Sequence, residues 1–178
     1  MTTFDRYQIR ITGPSGSGKT YMADRLAELG YPAIDADVIE GLGRFLDRDG
    51  NVHEYDHDGG TDWLETHFWS WDEQVLRAYL GSTERVIICG GAWNDKTMDH
   101  LFTRVFYLVV PKDEMLANLL RPDRFNPYGR TPEQQAFAST MIDRFYADIP
   151  ETWVPLHARD VQDLIAEIEA YLGGRLVP

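Results

Sequence analysis

Eight consecutive residues, Gly13-Pro14-Ser15-Gly16-Ser17-Gly18-Lys19-Thr20, fit the pattern G-x-x-x-x-G-K-[ST] at every position. Glycines at this spacing let successive main-chain N–H groups turn inward around an anion, and a helix starting near Lys19 adds its positive end to the same place. A phosphate chain is the ligand for which such a loop is shaped. Gly13, Ser15, Gly16, Ser17 and Gly18 are expected to form the cradle, with Lys19 reaching the β- and γ-phosphates of a nucleoside triphosphate and the Thr20 hydroxyl placed to coordinate Mg2+.

A second group, Ile34-Asp35-Ala36-Asp37, puts two carboxylates at the end of a predicted strand, where alternation turns both the same way. Phosphoryl transfer asks for one acid near the metal and another that accepts the proton of an attacking hydroxyl. Asp35 is expected in the first role and Asp37 in the second, although Asp37 also suits the cap of a following helix. Between two predicted helices, residues 121–130 form a Pro/Gly-containing loop with Arg121, Arg124 and Arg130. This loop reads as a lid that brings guanidinium groups to the moving phosphoryl, or as a solvated loop balancing an acidic chain. Thr131-Pro132 then starts a helix by cap and first-turn preferences.

Acceptor-side residues are sought in Trp63–Asp72, rich in aromatics, and in Gly90-Gly91-Ala92-Trp93-Asn94-Asp95. Trp69, Gly90, Gly91 and Asn94, together with Asp37, are the expected acceptor contacts; aromatic residues at helical spacing equally suit a packed interior. The strand before Gly90 lacks the acidic residue that often ends it in proteins with such a phosphate loop. Asp35, or Asn94 or Asp95 from the following loop, remains to supply that group.

The elements that must position these residues alternate. Tyr7, Ile9 and Ile11 mark a strand into the phosphate loop, and a helix runs from Lys19 to about Leu29, stopped by Gly30. Further strands are predicted over Tyr31–Ile34, Arg85–Cys89, Arg104–Val110 and Trp153–Leu156. Helices are predicted over Asp37–Phe45, Trp63–Leu80, Lys112–Leu120, Thr131–Ile149 and Val161–Leu172. Such alternation implies a parallel sheet with helices on both faces and a ligand site at the strands' carboxyl ends. The Asp-Gly and Gly-Gly dipeptides in Asp47–Asp62 predict a turn or hairpin, within an acceptor-side insertion spanning about 47–72.

The 178 residues fit one domain. A formal charge of −12 is the reverse of a nucleic-acid-binding footprint, so a nucleic-acid partner is disfavoured. One cysteine, Cys89, permits no intrachain disulfide and reads as a buried strand residue. With no signal-like N-terminus and no apolar run of membrane-spanning length, a cytoplasmic monomer or dimer without a membrane partner is expected.

On the strength of Gly13–Thr20, Asp35 to Asp37, Trp63-Leu64 with His67, Trp69, Trp71 and Asp72, Gly90-Gly91 with Asn94, and Asn126-Pro127-Tyr128-Gly129, the chain resembles the small P-loop kinases of the nucleoside monophosphate, shikimate and gluconate kinase group. It is similar also to proteins labelled AAA-family ATPase or shikimate-kinase-like. The resemblance implies an α/β, three-layer P-loop NTPase fold with about five parallel strands and an arginine-bearing lid. It matches Asp35 to a metal-associated acid, Asp37 to the acid that meets the acceptor hydroxyl, and Arg121 and Arg124 to the start of the lid. No counterpart exists of the arginines that grip shikimate's carboxylate. The expected activity is transfer of the γ-phosphoryl of Mg-ATP to a small metabolite, nucleoside or nucleotide. Alternatives are a kinase acting on a modified base in nucleic acid and a nucleotide-binding switch.

Overall fold

The computed structural model describes residues 2–56, 60–124, 126 and 128–178. Part of the predicted turn region (57–59) and Pro127 of the Asn126–Gly129 motif lie outside the described residues. In chain order the strands and helices are β1 (Thr2–Phe4), β2 (Tyr7–Thr12), α1 (Lys19–Glu28), β3 (Ala33–Asp35), β4 (Gly43–Leu46), β5 (Val52–His53), α2 (Gly60–Leu64) and β6 (Phe68–Trp71). There follow α3 (Glu73–Gly81), β7 (Arg85–Cys89), β8 (Arg104–Leu108), α4 (Lys112–Leu119), α5 (Pro132–Ala147), β9 (Val154–Leu156), α6 (Val161–Leu172) and β10 (Gly174–Leu176).

Five strands form one parallel sheet in the order β3-β7-β2-β8-β9, so the strand entering the phosphate loop is central. Ile11 pairs with Cys89 on one side and Phe106 on the other. One sheet face packs Ile9, Ile11, Ile87 and Phe106 against Leu26 of α1 and Leu164 and Ile168 of α6. The opposite face packs Val86, Ile88 and Val105 against Leu76 and Leu80 of α3 and Met98. These two interiors make the three layers expected of strands covered on both sides.

Local signals fix the helix ends where they were legible. Thr131 caps α5, its hydroxyl accepting from the Gln134 N–H (3.2 Å) with Pro132 in the first turn; Asp160 caps α6 in the same way (2.8 Å to the Gln162 N–H).

Two predicted helices are replaced. Asp37–Phe45 is instead a 3-10 turn, Ala36–Val38, followed by β4. Asp35 closes that turn by accepting the Asp37 N–H (2.9 Å), and the chain then pairs β4 with β5 and β6. Trp63–Leu80 breaks into α2, β6 and α3. Phe45 faces Trp69 and Gly43 faces Trp71 across an antiparallel pair, and Asp72 restarts the helix by accepting the Gln74 and Val75 N–H groups (2.8 and 3.1 Å). Aromatic residues suit a pleated surface as well as a helix, and here the distant partner strand decides.

The result is a small antiparallel sheet, β5-β4-β6, standing beside the main one. Its hairpin turn is closed by Asp47, whose Oδ1 accepts the Asp49 and Asn51 N–H groups at 2.9 Å. A further sheet of two strands, β1 with β10, carried no usable pattern in the sequence.

Candidate active site

The phosphate loop leaves the carboxyl end of β2 and enters α1 through two glycines with left-handed backbone, Gly16 (φ 84°) and Gly18 (φ 94°). Gly16 is doubly constrained: a Cβ there would stand 2.3 Å from the carbonyl oxygen of Met115 on α4. The same helix secures the loop from outside, Asn118 Nδ2 donating to the Gly16 carbonyl (2.9 Å). Ser17 N–H donates to Pro14 O (3.1 Å), while the Ser17 hydroxyl is buried without a partner. Ser15 and the Thr20 side chain are exposed, and Gly13 is buried beneath Ser17.

Lys19 Nζ turns back onto the loop, donating to the carbonyls of Gly13 (2.7 Å) and Pro14 (2.8 Å). Its pKa is lowered by burial, opposed first by the negative charge of Asp37 and then by Asp35. The ammonium is thus stored among acceptors that a phosphate oxygen can replace.

Asp35 and Asp37 stand at the end of β3, as expected, but in a turn rather than a helix. Burial raises the pKa of Asp37 first and the neighbouring Asp35 charge raises it further. Lys19 and a hydrogen bond from the Trp69 side chain act the other way. Asp37 therefore faces the phosphate-loop lysine on one side and the small sheet on the other. Trp69 is set there by a missing side chain: a Cβ on Gly43 would fall 2.1 Å from the indole Cζ2. Behind Trp69, Phe45 (5.1 Å between ring centres) continues to Trp63 (4.9 Å) and Tyr55 (5.4 Å), and Trp63 stacks on His67 at 4.2 Å.

The loop after β7 touches both halves. Gly90 is covered by Ala36 and Trp71; Gly91 lies beside Thr12 and Gly13. Asn94 spends both ends of its amide on the β6 main chain, Oδ1 accepting from Trp71 N–H (2.8 Å) and Nδ2 donating to Trp71 O (2.9 Å). Asp95 is buried near Gly91, its Oδ2 accepting the Ala92 N–H at 3.3 Å.

The three lid arginines are brought to one loop, and each is paired within it. Arg121 forms a two-pronged pair with Asp123 (3.1 and 2.7 Å). Arg124 donates to Leu119 O (3.2 Å) and Tyr128 O (2.9 Å), and Arg130 to Arg124 O (2.7 Å). Gln134 Oε1 accepts the Gly129 and Arg130 N–H groups, so the lid's far end is fastened to α5.

One residue escaped sequence reading. Arg10, in the middle of β2, is fully buried and reaches Asp95 O (2.8 Å) and Asp99 Oδ1 (2.9 Å). The signal was present: Gln8, Arg10 and Thr12 alternate with Tyr7, Ile9 and Ile11 in a strand predicted to be covered on both faces.

For a metal, the donor set consists of hard oxygens: the Thr20 hydroxyl and the carboxylates of Asp35 and Asp37. This chemistry suits magnesium. Among the described residues no group of three or more His, Cys, Asp or Glu could hold a metal ion. No described helix is long and apolar enough to cross a membrane.

No family model matches the chain, and no curated protein matches it by sequence. Solved structures do. Shikimate kinase from Acinetobacter baumannii in complex with shikimate is similar at TM-score 0.58 and 18% identity, covering 95% of this chain and 94% of that one. Deoxyadenosine kinase from M. mycoides with bound dATP is similar at 0.56 and 16%, covering 94% and 100%. A gluconokinase from Sinorhizobium meliloti is similar at 0.53 and 16%, covering 94% and 92%. The fold is that of the small P-loop kinases.

Proposed function

We propose that the chain is a kinase that moves the γ-phosphoryl of ATP to a hydroxyl or phosphate of a small metabolite, nucleoside or nucleotide. The observation that carries this reading is Asp37, a carboxylate at the end of β3 whose charge is the strongest felt by Lys19 of the phosphate loop. A nucleotide-binding loop alone would serve a switch. A base-strength carboxylate set against its lysine, with an aromatic wall behind, serves transfer.

With a hydroxyl acceptor, Asp37 takes the proton as the acceptor oxygen bonds to the γ-phosphorus and the bond to the β-phosphate oxygen breaks, releasing ADP. Burial and the neighbouring Asp35 charge raise the pKa of Asp37, which strengthens its carboxylate as a proton acceptor. Lys19 leaves the Gly13 and Pro14 carbonyls for the β- and γ-phosphate oxygens. The main-chain N–H groups of the loop that are not already bonded, as that of Ser17 is to Pro14 O, would hold the phosphates in line. Thr20 and Asp35 would hold magnesium, which neutralises charge on the phosphate oxygens. Arg121, Arg124 and Arg130 would offer guanidinium groups from the lid. Arg121 is the readiest, because its pair with Asp123 is exposed and such pairs exchange at little cost.

ADP release is to be measured with Mg-ATP across a panel of nucleosides, nucleotides, sugars and hydroxy acids. Turnover that rises with one acceptor class and disappears in Lys19→Ala supports the kinase. ATP hydrolysis at one unchanging rate whatever acceptor is added, and no phosphorylated product, overturns it.

A further inference from the structure

The face of β2 opposite the apolar one is polar throughout, and Gln8 and Arg10 on it grip neighbouring segments. Gln8 Nε2 donates to Leu80 O (2.6 Å) and Thr83 O (3.0 Å) at the end of α3. Thr12 is buried beside Gly91. Between them the Arg10 guanidinium is enclosed by Trp153, Phe102 and Trp71, at 4.9, 5.6 and 5.9 Å from their ring centres. Two carboxylates balance it: Asp99 at 2.9 Å, itself held by Trp153 Nε1–H (2.6 Å), and Asp95 at 3.8 Å.

A buried guanidinium is costly, and an apolar residue would fill the same place with less desolvation. What Arg10 adds is a directional hold on one loop. Its Nη1 donates to the Asp95 carbonyl, and Asp95 in turn folds the loop onto itself through Ala92 N–H. That loop grips β6 at three points: Trp93 N–H donates to Trp69 O (2.8 Å), and the Asn94 amide makes its two bonds to Trp71. β6 carries the Trp69 indole, which is seated over Gly43. A series of bonds thus runs from the strand under the phosphate loop to the strand that carries Trp69.

We propose that Arg10 is a positioning residue: through Asp95 and the 90–95 loop it fixes β6, and with it the Trp69 indole of the aromatic wall. The inference rests on the kinase reading for its meaning in turnover, but its geometry is testable without any acceptor. Arg10 touches neither Asp37 nor Trp69; it reaches β6 through the 90–95 loop and through the Trp71 ring beside its guanidinium.

Protein labelled with 5-fluorotryptophan gives one 19F signal for each of Trp63, Trp69, Trp71, Trp93 and Trp153, with the Trp69 signal identified by its loss in Trp69→Phe. In Arg10→Met, Trp71 and Trp153 must shift in any case, since they enclose the guanidinium. The diagnostic signal is Trp69, expected to shift or broaden while Trp63 does not. Asn94→Ala, which cuts two of the loop's bonds to β6 and keeps the Arg10 guanidinium, is expected to move Trp69 as well, and serves if Arg10→Met does not fold. Turnover with the acceptor found above is expected to fall about tenfold in either variant, with ATP affinity within about twofold of the parent. A Trp69 signal unmoved in Asn94→Ala, or ATP affinity falling in step with turnover, overturns the proposal. Absence of transfer in the parent protein would instead overturn the kinase reading and leave the 19F result standing.

Discussion

The two walls of the cleft are built from different materials. On the nucleotide side, Gly13–Thr20 takes its shape from main-chain conformation at Gly16 and Gly18 and from contacts of α4, and its one charged side chain is parked on the loop's own carbonyls. On the acceptor side, the β5-β4-β6 sheet has few main-chain pairs and is held by aromatic rings packed edge to face and by a carboxylate-closed turn. Main-chain geometry is insensitive to most side-chain changes and unforgiving of a few. A wall of side chains yields gradually, so binding of nucleotide and delivery of acceptor should separate on mutation.

The largest expected separation is in Asp37→Asn. The amide keeps the shape and loses the base, so transfer to a hydroxyl should fall by roughly 10²–10⁴ while ATP binding, measured by calorimetry, changes little. Equal losses in both would mean that the acid belongs to the nucleotide wall.

Gly16→Ala attacks the other wall. A Cβ at φ 84°, 2.3 Å from a main-chain oxygen, forces the loop or α4 to move. A destabilisation of about 1–3 kcal/mol is expected, together with loss of the thermal shift that ATP gives the parent. An unchanged thermal shift would show that the cradle is more plastic than its geometry implies.

Gly43→Ala is expected to be milder. The new methyl meets the ring of Trp69, and turnover should drop by about tenfold with an insertion destabilised by roughly 1–3 kcal/mol and ATP affinity retained. A crystal structure showing the indole unmoved would remove that expectation.

The smallest effect is in pH dependence. The pKa of Asp37 is raised from its ordinary value, so the acidic limb of turnover should lie at higher pH than an unperturbed aspartate would give, activity being lost as falling pH protonates the base. Trp69→Phe removes one of the two influences that hold this pKa down, and the limb should move to still higher pH. A limb moving downward would show that Trp69 does not bond the carboxylate.

The same division explains what could be read in advance. The strand at Tyr7, the loop, α1, and the strands at Arg85 and Arg104 are local patterns: alternation, an eight-residue motif, and helical spacing ended by Gly30. Each was found where it was predicted. The aromatic run Trp63–Trp71 satisfies helical spacing and strand propensity alike, and only pairing with Gly43–Leu46, about twenty residues earlier, selects the strand. Asn94, expected near the acceptor, has its amide committed to β6, a commitment that exists only because β6 is a strand.

By itself the sequence determined the glycine-rich loop Gly13–Thr20, the central strands and the pair of acids at the end of β3, because each depends on residues near in the chain. Tertiary structure alone decided the small antiparallel sheet, the seating of Trp69 over Gly43, and the burial of Arg10 among three aromatic rings. Those depend on which distant segments share a boundary, and burial is a property of the assembled surface rather than of any stretch of chain.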